Sequence, residues 1–243
     1  MNQQTPLFYK EPIALNKEVH SKLTVGKNPD GYAFASGTHN VILASVEFYE
    51  ACKEYPIIFT TTPNDKIVPI ALLGFREGEN LFVDEDGVWA GRYIPAYVRR
   101  YPFILAETGR NELTVCFDQA YEGLNSEDGA TLFDSEGGYS PYMQQTLGFL
   151  RNYHDQYKNN EAFTNMVKEL DLFKPMDALV ELNDGRKYAL NGFMVVDEQK
   201  LQAIGEDDLY ALFKDGYLSL IYAHLLSLST MSGLLDKLAA KNN

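Results

Sequence analysis

Basic residues are scarce and cysteine scarcer still. The 243 residues carry 21 Lys and Arg against 34 Asp and Glu, a formal charge of −13. Non-specific binding to nucleic acid or to anionic lipid needs clustered cations to neutralise phosphates, and this balance excludes both as partners. Cys52 and Cys116 are the only cysteines, far apart and with neither a CxxC nor a metal-ligand spacing. Two buried thiols in a reducing cytosol are expected, not a disulfide framework. The first residues, MNQQTPLFYKEPIAL, lack the basic, apolar and small-residue regions of a secretory signal, so a cytoplasmic location is expected. Walker A, GxGxxG, GxSxG and HExxH motifs are all missing, as is any HxD or HxE pair. No cofactor and no metal are therefore predicted. What remains is 45% apolar and 23% charged, the balance of a globular chain and too hydrophobic for disorder.

One uncharged run, Gly216 to Leu235, is long enough to test against a bilayer. Ser219, Ala223, Ser227 and Thr230 form a small, polar stripe along it, while Leu218, Ile221, Leu225, Leu228 and Leu235 lie largely on another side. That pattern predicts a close-packed helix of a soluble core, with no membrane span.

Along the chain, GKNPDGYAF at 26–34 marks a turn, and Ser45 is placed to cap a helix over Val46 to Glu54. Strands are predicted in YPIIFTTT, at 67–75, at 80–83 and at LTVCFD (113–118), with Gly78 and Asp86-Gly87 turning between them. Pro69 suggests an edge strand or a bulge. A helix of about two turns fits between Pro95 and Pro102. Ser140-Pro141 starts a helix with Met143, Leu147, Leu150, His154 and Tyr157 on one stripe, and a second helix is predicted over Glu161 to Leu172, closed by Pro175. A hairpin with Asp184-Gly185 at its tip follows, then short helices opened by Asp197 and by Glu206 or Asp207. The order gives an α+β fold: a largely antiparallel sheet with several packed helices, including a long apolar C-terminal one. One domain over 1–243 is expected, strand-rich over about 40–138 and helix-rich over about 139–240. LFVDEDG at 81–87 and LFDSEGG at 132–138 echo one another, as two acidic turns after Leu-Phe can by chance. The first is read as a solvated turn and not as a calcium loop.

Chemistry has few places to sit. His154 and His224 stand on predicted helices beside apolar residues, which favours hydrogen-bonded core or boundary roles; His39, in SGTHNV, is the better placed for polar work. The densest cluster is WAGRYIPAYVRRYPF (89–103), with Trp89, Tyr97, Arg92, Arg99 and Arg100. Arginine forks bind carboxylates and stack on aromatic rings, so this segment is suited to an acidic ligand or a peptide, unless its arginines merely pair with the chain's own acids. Residues 88–103 carry +3 and residues 104–138 carry −7, with one base and eight acids, so the bulk acidity conceals a basic, aromatic island.

These residues carry a resemblance. EYPIIFT, PIALLGF, NLFVDEDGVW, YIPAYVRRYPF, LFKPMDALVELNDGRKYALNGFMVVDEQKL and GYLSLIYAHLLSL together resemble the bacterial SapC family over nearly the whole chain. The resemblance implies an intracellular bacterial protein without an established activity or catalytic set. Members are often encoded beside cupin-like and flavin-dependent halogenase-like proteins and TonB-dependent receptors, which implies an accessory role in a modification or uptake system. Three readings follow. The first is a non-enzymatic protein binding a peptide or protein partner, with His39, Trp89, Arg92, Tyr97, Arg99, Arg100 and His224 as candidate ligand-binding residues. The second is an enzyme using His39 or His224 as acid and base and the arginines as substrate anchors. The third is a membrane-associated peptide-transport component working through residues 216–235.

Overall fold

Short β-favouring runs are spread from residue 12 to residue 196, and the computed structural model, which describes residues 5–107, 112–181 and 187–241, pairs them antiparallel. In chain order the elements begin with β1 (Pro12–Ala14), α1 (Lys17–His20), β2 (Thr24–Val25), β3 (Asn40–Ile42) and α2 (Phe48–Ala51). The hairpin β4 (Ile57–Thr61) and β5 (Ile67–Leu72) follows, then α3 (Ala96–Arg99) and the hairpin β6 (Phe103–Glu107) and β7 (Leu113–Asp118). Next come β8 (Ala130–Thr131), the long α4 (Pro141–Glu169), β9 (Phe173–Glu181) and β10 (Lys187–Val196). Four helices close the chain: α5 (Glu198–Gln202), α6 (Glu206–Lys214), α7 (Tyr217–Ser227) and α8 (Met231–Lys241). The sheets run β3-β5-β4-β10-β9, β1-β7-β6 and β2-β8. The fold is α+β, as the order of elements predicts. The strand-rich and helix-rich halves interlock, because β10 of the second half pairs with β4 of the first through Phe193↔Thr60 and Met194↔Phe59.

Several local expectations are corrected. Ser45 opens a 3-10 turn whose N-cap is Ala44; the Glu47 carboxylate takes the Ala44 N–H at 2.9 Å, and the α-helix proper starts only at Phe48. Residues 80–83 form no strand beyond an isolated bridge from Val83 to Trp89. The two helices expected between 140 and 172 are one, α4, of 29 residues. Just before the predicted start of the second helix stands Asn160, which is 2% exposed and whose amide donates to the Leu43 carbonyl and accepts from the Ser45 N–H, both at 2.7 Å. Tertiary contacts there satisfy a residue that favours helix ends in isolation. Pro175 lies within β9, well past the helix end. Pro69 lies in β5, a strand with neighbours on both sides. Its carbonyl accepts from Leu43 N–H, so its missing donor faces the side on which β3 has already ended at Ile42. The predicted Asp184-Gly185 tip lies outside the described residues.

The echo between the two acidic turns is not chance, because each closes the same structural unit. Tyr55-Pro56 opens β4 and Tyr101-Pro102 opens β6. Leu72 N–H bonds to Pro56 O in one unit, as Asp118 N–H bonds to Pro102 O in the other. Each hairpin carries a third, earlier strand on its second strand: β3 on β5 and β1 on β7. Leu43 N–H reaches Pro69 O, and Leu15 N–H reaches Val115 O. In both turns an aspartate, Asp84 or Asp134, accepts through Oδ1 from backbone N–H groups two and four residues on. A helix led by proline follows each turn, Pro95 before α3 and Pro141 in α4. The second unit is split, with β1 supplied from before the first unit and the remainder from after it.

Candidate functional site

The segment 89–103 is divided by its own short helix. Pro95 precedes α3, whose first free N–H, on Ala96, is taken by the buried Glu47 carboxylate at 2.7 Å. Glu47 also accepts the Tyr93 hydroxyl at 2.7 Å, and burial pushes its carboxyl above the usual range. That anchor sets the roll of α3 and sends its two arginines to different places. Arg99 lies over Phe149 at 5.1 Å and Tyr93 at 5.6 Å, with Nε donating to Ile94 O at 2.8 Å. Arg100 turns toward α4 and is sandwiched between Tyr97, 3.8 Å from the guanidinium carbon to the ring centre, and Tyr153, at 5.3 Å.

Beside Arg100 lies a cavity of about 480 Å³ roofed by α4 and floored by both repeated units. Ile42, Ile67 and Val68 come from the first unit, Leu105 and Glu107 from the second, and Leu150, His154 and Tyr157 from α4. The helical stripe read from sequence thus divides. Met143, Leu147 and Leu150 are buried in the second unit's core, and Leu150 with His154 and Tyr157, farther along, also lines the cavity. Ion pairs tie α4 to each hairpin at the wall, Lys66 to Glu161 at 2.9 Å and Glu107 to Lys158 at 3.6 Å, and His154 Nε2 lies 3.8 Å from Glu107 Oε1.

The polar chemistry of this cavity is incomplete within the chain. Three buried side-chain polar atoms among the described residues have no protein hydrogen-bond partner: Glu79 Oε2, Arg100 Nε and His154 Nε2. Two of the three belong to side chains that line this one cavity. No carboxylate among the described residues pairs with Arg100, although Tyr9 and Tyr153 both feel its charge. Burial still raises both phenols well above their ordinary range, so they remain neutral, Tyr153 with its ring beside the guanidinium and Tyr9 with its hydroxyl donating to Phe103 O at 2.6 Å. A guanidinium stacked on tyrosine, screened by apolar walls and without a paired acid, has the chemistry to receive an anion with a flat, forked acceptor.

The other candidates stand elsewhere. Trp89 is 7% exposed and donates its indole N–H to Tyr55 Oη at 3.0 Å, so it is a core residue. Arg92 is exposed, its backbone N–H held by both Glu54 oxygens, in a separate depression beside Lys237. His39 does not line the Arg100 cavity; its carbonyl accepts from Leu73 and Gly74, and burial lowers the pKa of its ring. His224 lies in the core, away from the Arg100 cavity. It is fully buried, its Nε2 accepting from Val196 N–H at 3.0 Å and its Nδ1 set 2.7 Å from Ile57 O, which leaves neither nitrogen for a ligand. Of the seven candidates the structure brings Tyr97 and Arg100 to the cavity. Tyr153 and His154 were missed as site residues. The helical stripe that carries His154 was legible, but neither Tyr153 beside it nor the cavity that its C-terminal part faces. Among the described residues no group of three or more His, Cys, Asp or Glu is arranged to hold a metal ion, and both cysteines are free.

A family model described as SapC matches residues 15–234. No curated protein and no solved structure matches the chain.

Proposed function

From the premise that the chain belongs to the SapC family, we propose that it is a cytoplasmic accessory protein that binds rather than catalyses. It takes a carboxylate of a peptide or protein partner in the Arg100 cavity, within a bacterial modification or uptake system. One observation carries this reading: two orphaned buried donors or acceptors, on Arg100 and His154, belong to the same partly apolar cavity. An orphaned buried polar group costs about 1–3 kcal/mol, and a bound carboxylate on the guanidinium fork removes part of that cost. The walls of Ile42, Ile67, Val68 and Leu105 suit an apolar side chain next to that carboxylate.

The test uses two peptides ending in phenylalanine, one with a free α-carboxylate and the other amidated. Titration calorimetry is expected to show binding of the free acid alone. Arg100→Ala should weaken it about tenfold or more, the worth of one charge-assisted contact. Arg99→Ala should leave it unchanged, because Arg99 lies over Phe149 and Tyr93, away from this cavity. Equal binding of acid and amide defeats the reading. If an enzyme is at work instead, its acid–base group is His154, the histidine that lines the cavity. Turnover abolished by His154→Gln with binding retained would favour that alternative.

A further inference from the structure

We infer that the outer face of α6 and α7 docks a basic amphipathic helix of a partner protein. This surface is independent of the Arg100 cavity, and none of its residues lines it. On α6, Tyr210 is 66% and Phe213 68% exposed; on α7, Tyr222 is 50% and Leu226 69% exposed. The two helices pack on one another, and α2 packs on α7 and adds Tyr49, whose hydroxyl reaches Ser219 Oγ at 2.8 Å. Scattered single apolar residues on a surface are ordinary, but large ones gathered on adjoining helices mark an interaction site. Aromatic rings and leucine on a helix pair supply the anchors that a helix-in-groove contact uses.

Charge decides the occupant. Glu206, Asp207 and Asp208 fill the first turn of α6 and Asp215 follows its end, against the single cation Lys214. The cations farther along the C-terminal helix are engaged elsewhere: Lys237 lies 4.8 Å over the Phe82 ring, and Lys241 donates to Asn80 O at 3.3 Å. An apolar face with an acidic border repels a second copy of itself and repels an anionic bilayer. It attracts an apolar helix edged with Lys and Arg.

The experiment titrates the full chain with a synthetic amphipathic helix of leucine and lysine and, separately, with its leucine–glutamate counterpart. The lysine peptide is expected to bind at least about tenfold more tightly and to weaken as salt rises. Phe213→Ser and Leu226→Ser should each reduce that binding about tenfold, the effect of removing an interface anchor. Both side chains are exposed, so thermal unfolding should stay close to wild type; Tyr210→Ser provides a third variant if either one misfolds. Arg100→Ala should bind the lysine peptide as wild type does, which separates this surface from the cavity. Equal affinity for the two peptides overturns the inference, as does binding unaffected by all three serine variants. A wild-type dimer in sedimentation that Leu226→Ser converts to monomer would assign the face to a second copy. Flotation with phosphatidylcholine vesicles that Leu226→Ser abolishes would assign it to a bilayer.

Discussion

At the scale of single residues, two side chains of the same chemical class can have opposite fates, and hydrogen-bond accounting tells them apart. His224 and His154 both sit on helices among apolar neighbours. His224 has both nitrogens engaged by backbone, at Val196 and Ile57, whereas His154 Nε2 makes no hydrogen bond and has only the Glu107 carboxylate, at 3.8 Å, beside it. The His224 arrangement requires the neutral tautomer with its proton on Nδ1, because a proton on Nε2 would face the Val196 N–H. Burial accordingly holds its pKa down to about 4. The unfolded chain takes up this proton near pH 6.5 while the native state refuses it until about 4. Stability is therefore complete above that upper value and declines as pH falls between the two. The loss is about 2 kcal/mol by about pH 5. Urea unfolding at neutral pH and at pH 5 should show this in the wild type. His224→Gln should be less stable at neutral pH yet lose less on acidification; an identical loss in both proteins would remove His224 as the cause.

At the scale of elements, the repeated acidic turns make a controlled comparison. Gly87 and Gly137 occupy equivalent positions with φ of +73° and +81°. A Cβ at Gly87 would stand 2.1 Å from Asp30 O, in the loop that donates Tyr32 N–H to Gly87 O, while a Cβ at Gly137 meets nothing within 4 Å. Gly137→Ala should then cost only the left-handed strain, about 1–2 kcal/mol. Gly87→Ala adds a backbone clash and should cost about 3 kcal/mol or more. Denaturant midpoints of the two variants check the difference, and equal values would deny the turns their different packing. The same elements show what a sequence discloses. Local chemistry was readable: Ser140-Pro141 does start α4, Asp197 does cap α5, and the strand pattern of 113–118 is β7. The unbroken length of α4 was not, since Asn160 is helical only because Leu43 and Ser45 lie across from it. Nor was the separation of Arg99 from Arg100, which Glu47, distant in sequence, imposes by holding Ala96 and Tyr93.

At the scale of the whole molecule, the nested repeat explains where a cavity can form. Two three-stranded units of like topology lie under one helix, and their cores are separate clusters, one around Phe48, Tyr55 and Phe59, the other around Phe103, Phe117 and Leu132. The seam is lined from both cores, by Val68, Tyr97 and Tyr153 of one and Leu150 of the other, and there the stacked Arg100 and a His154 without a hydrogen bond at Nε2 are tolerated. A ligand held at the seam touches β5, β6 and α4 together, so it should couple the two units. At one hundred times its dissociation constant it adds about 2.7 kcal/mol to global stability. With the free-acid peptide bound, amide hydrogen exchange should slow in β5, β6 and the middle of α4, while α6 and the exposed face of α7 exchange as before. Arg100→Ala should abolish the change in both units at once, because one guanidinium supplies the anchor for both. Protection confined to one hairpin would place the ligand within a single unit and dissolve the link between the repeat and the site.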